Sequence, residues 1–191
     1  MANNLPPSHS VEKPLPPGQQ LAATDKWPIV GEAAPAAPLG AWTVSVCGLV
    51  DRPLAWSVDE LGAMGPQDAL QADIHCVTRW SKRGMSFAGV SLARLLQLAA
   101  PQAAARFVSF VAYSERGHST SLPLEDALAL NTLVALTHNG APLASAHGGP
   151  ARIVVPGRYF YKSLKWLASI ELLADDRLGY WEAEAGYHNQ A

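Results

Sequence analysis

The hydrophobic pattern of this chain changes its period from segment to segment, and this constrains the fold more than any other feature. Residues 42–47 alternate apolar and polar side chains, which is typical of a half-buried strand. Residues 89–100 instead repeat their leucines at helical spacing and end before Pro101, which predicts an amphipathic helix. Short runs rich in Val, Phe and Leu predict further strands at 106–112, 133–137 and 152–155.

Strand and helix patterns do not alternate in the regular order that a parallel doubly wound sheet requires, and no Gly-rich fingerprint follows a strand. We therefore predict an α+β fold of mixed β-sheets with short helices in a single domain.

Local signals mark where several elements begin and end. Ser57 and Glu60 have the spacing of a capping box, which predicts a short helix. Asn139-Gly140 predicts a turn because both residues tolerate positive φ. The segment 162–173 predicts a helical turn starting near Ser163, and its apolar end Ile170–Leu173 fits either helix or strand.

Proline separates the N-terminus from the rest of the chain. Residues 1–24 hold few large apolar side chains and five prolines, Pro6, Pro7, Pro14, Pro16 and Pro17. Such a composition favours extended or disordered backbone. We predict a proline-rich arm at 1–24 and one domain at 25–191, with a second irregular Pro/Ala-rich stretch at 31–40.

Composition excludes several classes of protein. A net charge of -2 argues against nucleic-acid binding, which normally shows a basic excess. No apolar stretch approaches the roughly 20 residues of a membrane span, and no secretory leader is visible. The two cysteines, Cys47 and Cys76, are too few for a disulfide framework, so we expect free thiols, a cytoplasmic location and no membrane partner.

The first chemical cluster is Asp73–Ser81, which holds a thiol, an imidazole, a guanidinium and an indole. The thiolate of Cys76 would suit a soft or high-valent metal, and a neighbouring cation would keep its sulfur ionised. An ordinary buried cysteine is the alternative. Zinc-type cysteine pairs and a Gly-x-Ser-x-Gly hydrolase motif do not occur in the sequence.

A second cluster on a turn-rich frame carries five basic groups, His147, Arg152, Arg158, Lys162 and Lys165. Arginine can bind a phosphate through two parallel donors, so the cluster predicts an anion site, and a solvated basic surface is the alternative. A third cluster, 179–188, places tyrosines and a tryptophan near the C-terminus, where they could equally anchor it to the core.

These clusters, in this order, resemble the molybdopterin domain of the sulfite oxidase family from about Trp42 to His188. The resemblance is carried by the Cys76 strand, the His-Gly-x-Pro-x-Arg segment at 147–152, Val155-Pro-Gly and Lys165-Trp166. The stretches 15–19 and 24–30 further resemble the small stand-alone members of the family, which lack a haem domain and the C-terminal immunoglobulin-like domain.

The resemblance implies a molybdenum-molybdopterin cofactor and a role for each matching residue. Cys76 is implied as the metal ligand, and Tyr187 as a catalytic residue that orients substrate or relays protons. The implied cofactor contacts are His75, Cys76, Arg79, His147, Arg152, Ser163, Leu164 and Lys165.

The pocket departs from that of sulfite oxidases proper. Where they hold an arginine five residues after the cysteine, this chain has Ser81, and Gly186 replaces the acid that precedes their tyrosine. We therefore expect an oxidoreductase other than sulfite oxidase, acting on a small oxo-compound such as an S- or N-oxide by oxygen-atom or electron transfer. Arg79, Lys82 and Arg83 are candidate substrate or pterin contacts.

No haem or flavin motif is visible, so a separate electron-transfer partner is expected, and the missing dimerising domain favours a monomer. Two alternatives remain open. The chain could bind or carry the molybdenum cofactor without turnover, or its basic cluster could hold a flavin or another phosphate-bearing ligand while Cys76 belongs to the core.

Overall fold

The computed structural model describes residues 14–36, 40–65 and 67–187. Within them the strands are β1 (Gln20–Leu21), β2 (Thr43–Gly48), β3 (Leu54–Ser57), β4 (Asp68–His75), β5 (Trp80–Ser91), β6 (Phe107–Ala112), β7 (Ser119–Pro123), β8 (Leu133–His138), β9 (Ala141–Pro142), β10 (Arg152–Val154) and β11 (Leu167–Leu173). The helices are α1 (Val58–Ala63), α2 (Leu92–Ala99), α3 (Leu124–Ala129) and α4 (Tyr180–Ala185). This mixture of strands and short helices in a single domain confirms the predicted fold class.

The strands form two sheets. One has the order β1-β5-β8-β10, with β4 also paired to β5 and β9 to β8. The other has the order β3-β2-β11-β6-β7. In this second sheet β11 runs parallel to β2 and antiparallel to β6, so the last strand of the chain occupies the centre.

The two sheets share a main hydrophobic core, to which β2, β6 and β11 contribute from one sheet and β8 and β10 from the other, with α2 packed between. A second, smaller core holds residues of β4, β5, β8 and β10 together with Trp27, Trp80 and Phe160. Because Trp27, Trp80 and Phe160 also line one cavity of the protein, this smaller core supports the wall of that cavity.

The predicted capping box is confirmed. The backbone N–H of Glu60 donates to Ser57 Oγ at 3.2 Å, and the N–H of Ser57 donates to Glu60 Oε2 at 2.7 Å. The predicted helix at 89–100 begins only at Leu92, because Gly89–Ser91 belong to β5. At Gly89 a Cβ atom would lie 2.0 Å from Val134 O, so glycine is what allows β5 and β8 to pair there.

The predicted turn at Asn139-Gly140 is confirmed, with φ of 49° and 77°. The segment Ile170–Leu173, which fitted helix or strand, belongs to β11. The helix expected to start near Ser163 was wrong. A 3₁₀ turn ends at Lys162, and the following residues lie beside β10, where Ile153 N–H donates to Leu164 O and Val155 N–H to Ser163 Oγ.

The described end of the predicted arm packs against the body of the protein. Gln20–Leu21 pairs in parallel with residues 80–81 of β5. Lys82 Nζ donates to the carbonyl oxygens of Thr24 and Lys26 at 2.9 and 2.7 Å. Pro6 and Pro7 of the arm, and His188 at the far end of the resemblance, lie outside the described residues.

None of the helices within the described ranges has both the length and the apolar composition needed to cross a membrane.

Candidate active site

One cavity of about 250 Å³ brings the three chemical clusters together. Its walls come from the loop after β4, the segment between β10 and β11, and the aromatic residues around α4. Residues 27–32, which we call the roof segment, close the remaining side.

The cysteine loop joins β4 to β5. Cys76 is 5% exposed and lines the cavity. Its N–H donates to Trp80 O at 2.8 Å, and its carbonyl accepts from the N–H of Arg79, whose φ is 69°. Thr78 Oγ1 donates to Cys76 Sγ at 3.1 Å. The thiol is therefore held in place by its own turn.

Gln19, from the predicted arm, fastens this loop from outside. Its Nε2 donates to Cys76 O at 3.0 Å, and its Oε1 accepts from Ser81 Oγ at 2.9 Å. Ser81 also lies 2.7 Å from His75 Nδ1 and is fully buried. The position at which sulfite oxidases carry a substrate arginine thus holds an interior hydroxyl.

Arg152 organises the opposite wall. It is 2% exposed, and its Nη1 and Nη2 donate to His147 O and Ser163 O, both at 2.6 Å. The guanidinium also lies 4.3 Å from the centre of the Phe160 ring. Desolvation lowers the pKa of Arg152 to about 9, so it remains a cation at neutral pH. The guanidinium group lines the cavity, and its N–H groups hold the backbone at His147 and Ser163, which line the cavity as well.

Lys165 and His147 are the other basic groups of this wall. Desolvation, followed by the charge of Arg152, lowers the pKa of Lys165 to about 8. Lys165 Nζ donates to Val30 O at 3.1 Å and lies 3.4 Å from Glu32 O, so it also anchors the roof segment. Desolvation likewise lowers the pKa of His147, which favours its neutral form.

The roof segment is held by stacking as well as by Lys165. The rings of Trp27 and His147 are stacked, with centroids 4.0 Å apart and planes at 6°. Trp27 also contacts Phe87 edge-on at 6.1 Å. At the other end, Glu32 Oε2 lies 2.6 Å from His118 Nδ1.

The third wall is aromatic. The ring centroid of Tyr187 lies 5.1 Å from that of Tyr161 and 6.3 Å from that of Trp181. The ring centroids of Trp181 and His118 are 5.6 Å apart. The helix α4, which carries Trp181, is joined to the 3₁₀ turn Phe160–Lys162 by a buried ion pair between Lys162 and Glu182. This pair therefore connects two walls of the cavity.

The structure brings most of the predicted site residues to this cavity. The predicted residues that line it are Cys76, His147, Arg152, Ser163, Leu164, Lys165 and Tyr187. It does not bring two of them: His75 is engaged with Ser81, and Arg79 is exposed on the turn after the thiol. Neither of these two lines the cavity. The function of each residue remains a prediction.

Sequence reasoning missed the roof segment as a wall, together with Gln19 and His118, whereas the indole of Trp80 belonged to the predicted cluster Asp73–Ser81. Trp27 and Gln19 were within stretches that resemble the small members of the family, so a signal existed for them. His118 follows the turn at Gly117 and shows no periodic pattern that would have singled it out.

The donor set fits a molybdenum-pterin group. Among the described residues, no group of three His, Cys, Asp or Glu side chains could hold a metal ion on its own. A metal beside Cys76 would therefore need most of its ligands from a cofactor. The wall opposite is cationic, which suits an anionic group. Two buried lining atoms, Trp80 Nε1 and His118 Nε2, have no hydrogen-bond partner within the described part of the chain and so offer polar contacts.

Comparison with known proteins agrees with this geometry. A family model described as an oxidoreductase molybdopterin binding domain matches residues 32–181. The uncharacterized oxidoreductase YuiH of Bacillus subtilis is 37% identical over 176 residues, which are 91% of this chain and 86% of that protein.

More distant relatives are longer. The protein-methionine-sulfoxide reductase catalytic subunit MsrP of Ralstonia nicotianae is 31% identical over 157 residues, covering 75% of this chain and 47% of that protein. The chain therefore spans about half the length of this relative. The solved structure of the sulfane dehydrogenase SoxCD from Paracoccus pantotrophus matches with a TM-score of 0.64 and 23% identity over 70% of this chain and 38% of that one, which shows the fold alone.

The predicted family, enzyme class and cofactor are thus confirmed, and the named relatives are oxidoreductases other than sulfite oxidase. The chain belongs to the oxidoreductase molybdopterin-binding domain family of the sulfite oxidase type, whose cofactor contains molybdenum and a pterin.

Proposed function

We propose that this chain reduces or oxidises a small oxo-compound at a molybdenum centre that Cys76 ligates. The single observation that carries the proposal is that the Cys76 loop and the cationic wall around Arg152 and Lys165 line the same cavity. A buried thiol facing only hydrocarbon would have supported the structural alternative instead.

Cys76 meets the requirements of a protein ligand. Its backbone is fixed on both sides by hydrogen bonds to Trp80 and Arg79, so the sulfur needs little rearrangement to bind a metal. Thr78 Oγ1 donates to the sulfur and helps to hold it at the cavity wall. A preorganised cysteine sulfur is a donor that suits a soft or high-valent metal.

The opposite wall would hold the anionic body of the cofactor. The ammonium group of Lys165 can exchange its hydrogen bonds to carbonyl oxygens of the roof segment for hydrogen bonds to an anion. His147 supplies a neutral ring stacked on Trp27. Arg152 contributes charge and fixes the backbone of His147 and Ser163. When bound, the cofactor supplies a redox centre that exchanges electrons and an oxygen atom with the substrate.

Tyr187 is proposed to orient the substrate or relay protons. It lines the cavity, and its ring centroid lies 5.1 Å from that of Tyr161, a phenol whose pKa is raised by desolvation. Relatives named as protein-methionine-sulfoxide reductases support an S-oxide as the substrate class. The buried Ser81 in place of an arginine supports a substrate other than sulfite.

A separate electron-transfer partner is part of the proposal. The MsrP relatives are named catalytic subunits, which supports an arrangement in which one protein converts the substrate and another supplies the electrons. Such a partner would dock transiently.

The proposal is tested with protein from cells competent in molybdopterin synthesis. We expect about one molybdenum per chain and reduction of a small sulfoxide with a reduced dye as electron donor. Cys76→Ser should lose turnover, because a hydroxyl is a poor ligand for this metal, while the pterin can still hold the molybdenum. Cys47→Ser is the matched control, since Cys47 lies on β2 and does not line the cavity, and it should retain both metal and turnover.

Three results are decisive. Retention of turnover by Cys76→Ser would contradict the assignment of the ligand. Stoichiometric pterin without molybdenum or turnover in the unsubstituted protein would favour the carrier function. A flavin spectrum without metal would replace the cofactor altogether.

A further inference from the structure

His118 is a buried group of the cavity wall that the proposed function leaves without a task. It lies between the turn at Gly117 and strand β7 and is 6% exposed. It lines the cavity, and its Nε2 has no hydrogen-bond partner among the described residues. A buried nitrogen without a partner costs free energy, so such an atom in a cavity wall points to a ligand.

The other ring nitrogen is fully engaged. Nδ1 lies 2.6 Å from Glu32 Oε2 and 3.1 Å from Ser114 Oγ. Although desolvation raises the pKa of Glu32, hydrogen bonds from Ser114 and His118 outweigh it and hold that pKa below its ordinary value. Glu32 is therefore a carboxylate, which can only accept. Nδ1 must carry the hydrogen, and Nε2 is left to make its hydrogen bond into the cavity.

The ring is also held in orientation. Tyr180 contacts it edge-on at 4.3 Å, and Trp181 lies nearly parallel to it at 5.6 Å. The ring centroid of Trp181 also lies 6.3 Å from that of Tyr187. Glu32, the partner of His118, belongs to the roof segment that Lys165 of the cationic wall anchors, which favours the body of the cofactor over the reacting atoms as the ligand of His118.

We propose that His118 is a cofactor-contacting residue whose Nε2 makes a hydrogen bond to the polar edge of the pterin, and that Glu32 is the positioning residue that fixes the ring. This assignment rests on the proposed function, since it needs the pterin in this cavity. The chemistry is complementary because a pterin edge carries both hydrogen-bond donors and acceptors.

A structural role makes the opposite prediction. If His118 only anchors the roof segment through Glu32, Nδ1 is the important atom and Nε2 is dispensable. Two substitutions separate these roles. Asparagine places its amide near Nδ1 and keeps the contact to Glu32, whereas glutamine places its amide near Nε2 and gives up that contact.

The experiment measures the pterin that each purified protein holds, the rate at which it is released, and the melting temperature of the cofactor-free protein. We expect His118→Asn to melt like the unsubstituted protein but to release pterin about tenfold faster, the effect of losing one buried hydrogen bond. His118→Gln should release pterin at close to the original rate while melting at a lower temperature. The reverse pattern, or equal release rates for both variants, would overturn the proposal.

A measurement on the unsubstituted protein covers the case in which a variant fails to fold. With ¹⁵N-labelled histidine, His118 should show hydrogen on Nδ1, and its Nε2 resonance should differ between the cofactor-free and the loaded protein. An Nε2 resonance that is unchanged by loading would also overturn the proposal. If the unsubstituted protein holds no pterin at all, the proposed function fails as well, which is a different result from any of these.

Discussion

Trp27 fastens the roof segment, so replacing it by alanine tests whether that segment is a separate closing element of the cavity. The substitution removes ring contacts with His147, His138, Phe87 and Phe160. At about 0.5 kcal/mol each, the lower end for aromatic pairs, the four contacts account for about 2 kcal/mol. This corresponds to a roughly 30-fold larger population of the opened segment.

Trypsin cleavage after Lys26 reports that population. The carbonyl of Lys26 accepts from Lys82 in the closed segment, which protects this bond. When opening is fast relative to cleavage, the rate follows the open fraction. We expect Trp27→Ala to be cut about 30 times faster, with cleavage at this site followed by mass spectrometry. Ile29→Ala is the matched control, because Ile29 is 62% exposed in the same segment, and it should be cut at the original rate.

A cleavage rate that rises less than threefold in Trp27→Ala would refute the reasoning. So would a rise accompanied by an equal loss of global stability in urea, because the segment would then open only when the whole domain unfolds.

The other predictions concern Lys165 and the buried ion pair between Lys162 and Glu182. Burial lowers the pKa of Lys165 to about 8, so it loses its charge, and with it an attraction for the anionic cofactor, as the pH rises through that value. Pterin release should therefore accelerate above about pH 8 in the unsubstituted protein and not in Lys165→Arg, which stays charged; identical pH profiles for the two would contradict this. Glu182→Gln removes the counter-charge of the buried Lys162, so the free energy of unfolding in urea should fall by about 3–5 kcal/mol, and a loss under about 1 kcal/mol would show that the pair contributes little.

The elements that were predicted correctly from the sequence are those in which buried side chains recur at a regular spacing along one stretch of chain. The alternation at 42–47 and the leucine spacing of α2 are such repeats, and both elements formed. The segment after Lys162 has no comparable pattern. Its course is decided by hydrogen bonds to β10, a strand separated from it by a turn, and for that reason the helix expected near Ser163 was wrong.

The residues of the candidate site were likewise predictable only in part. The residues carried over from the resemblance lie at 75–79, at 147–165 and at 187, and most of them reach the cavity. The contacts between Glu32 and His118, and between Gln19 and Cys76, join residues far apart in the sequence through single hydrogen bonds. Composition and periodicity do not report such pairs, because nothing in the local sequence depends on them.

The place of β11 at the centre of its sheet has a consequence for synthesis. As the chain leaves the ribosome, β2 and β6 each emerge with an open edge, and the strand that joins them, Leu167–Leu173, comes last. Pairing over such long sequence separations is slow, and unpaired edges invite aggregation in the meantime. A nascent chain halted before Leu167 should therefore need a chaperone to stay in solution, whereas one extended past Leu173 can close this sheet by itself.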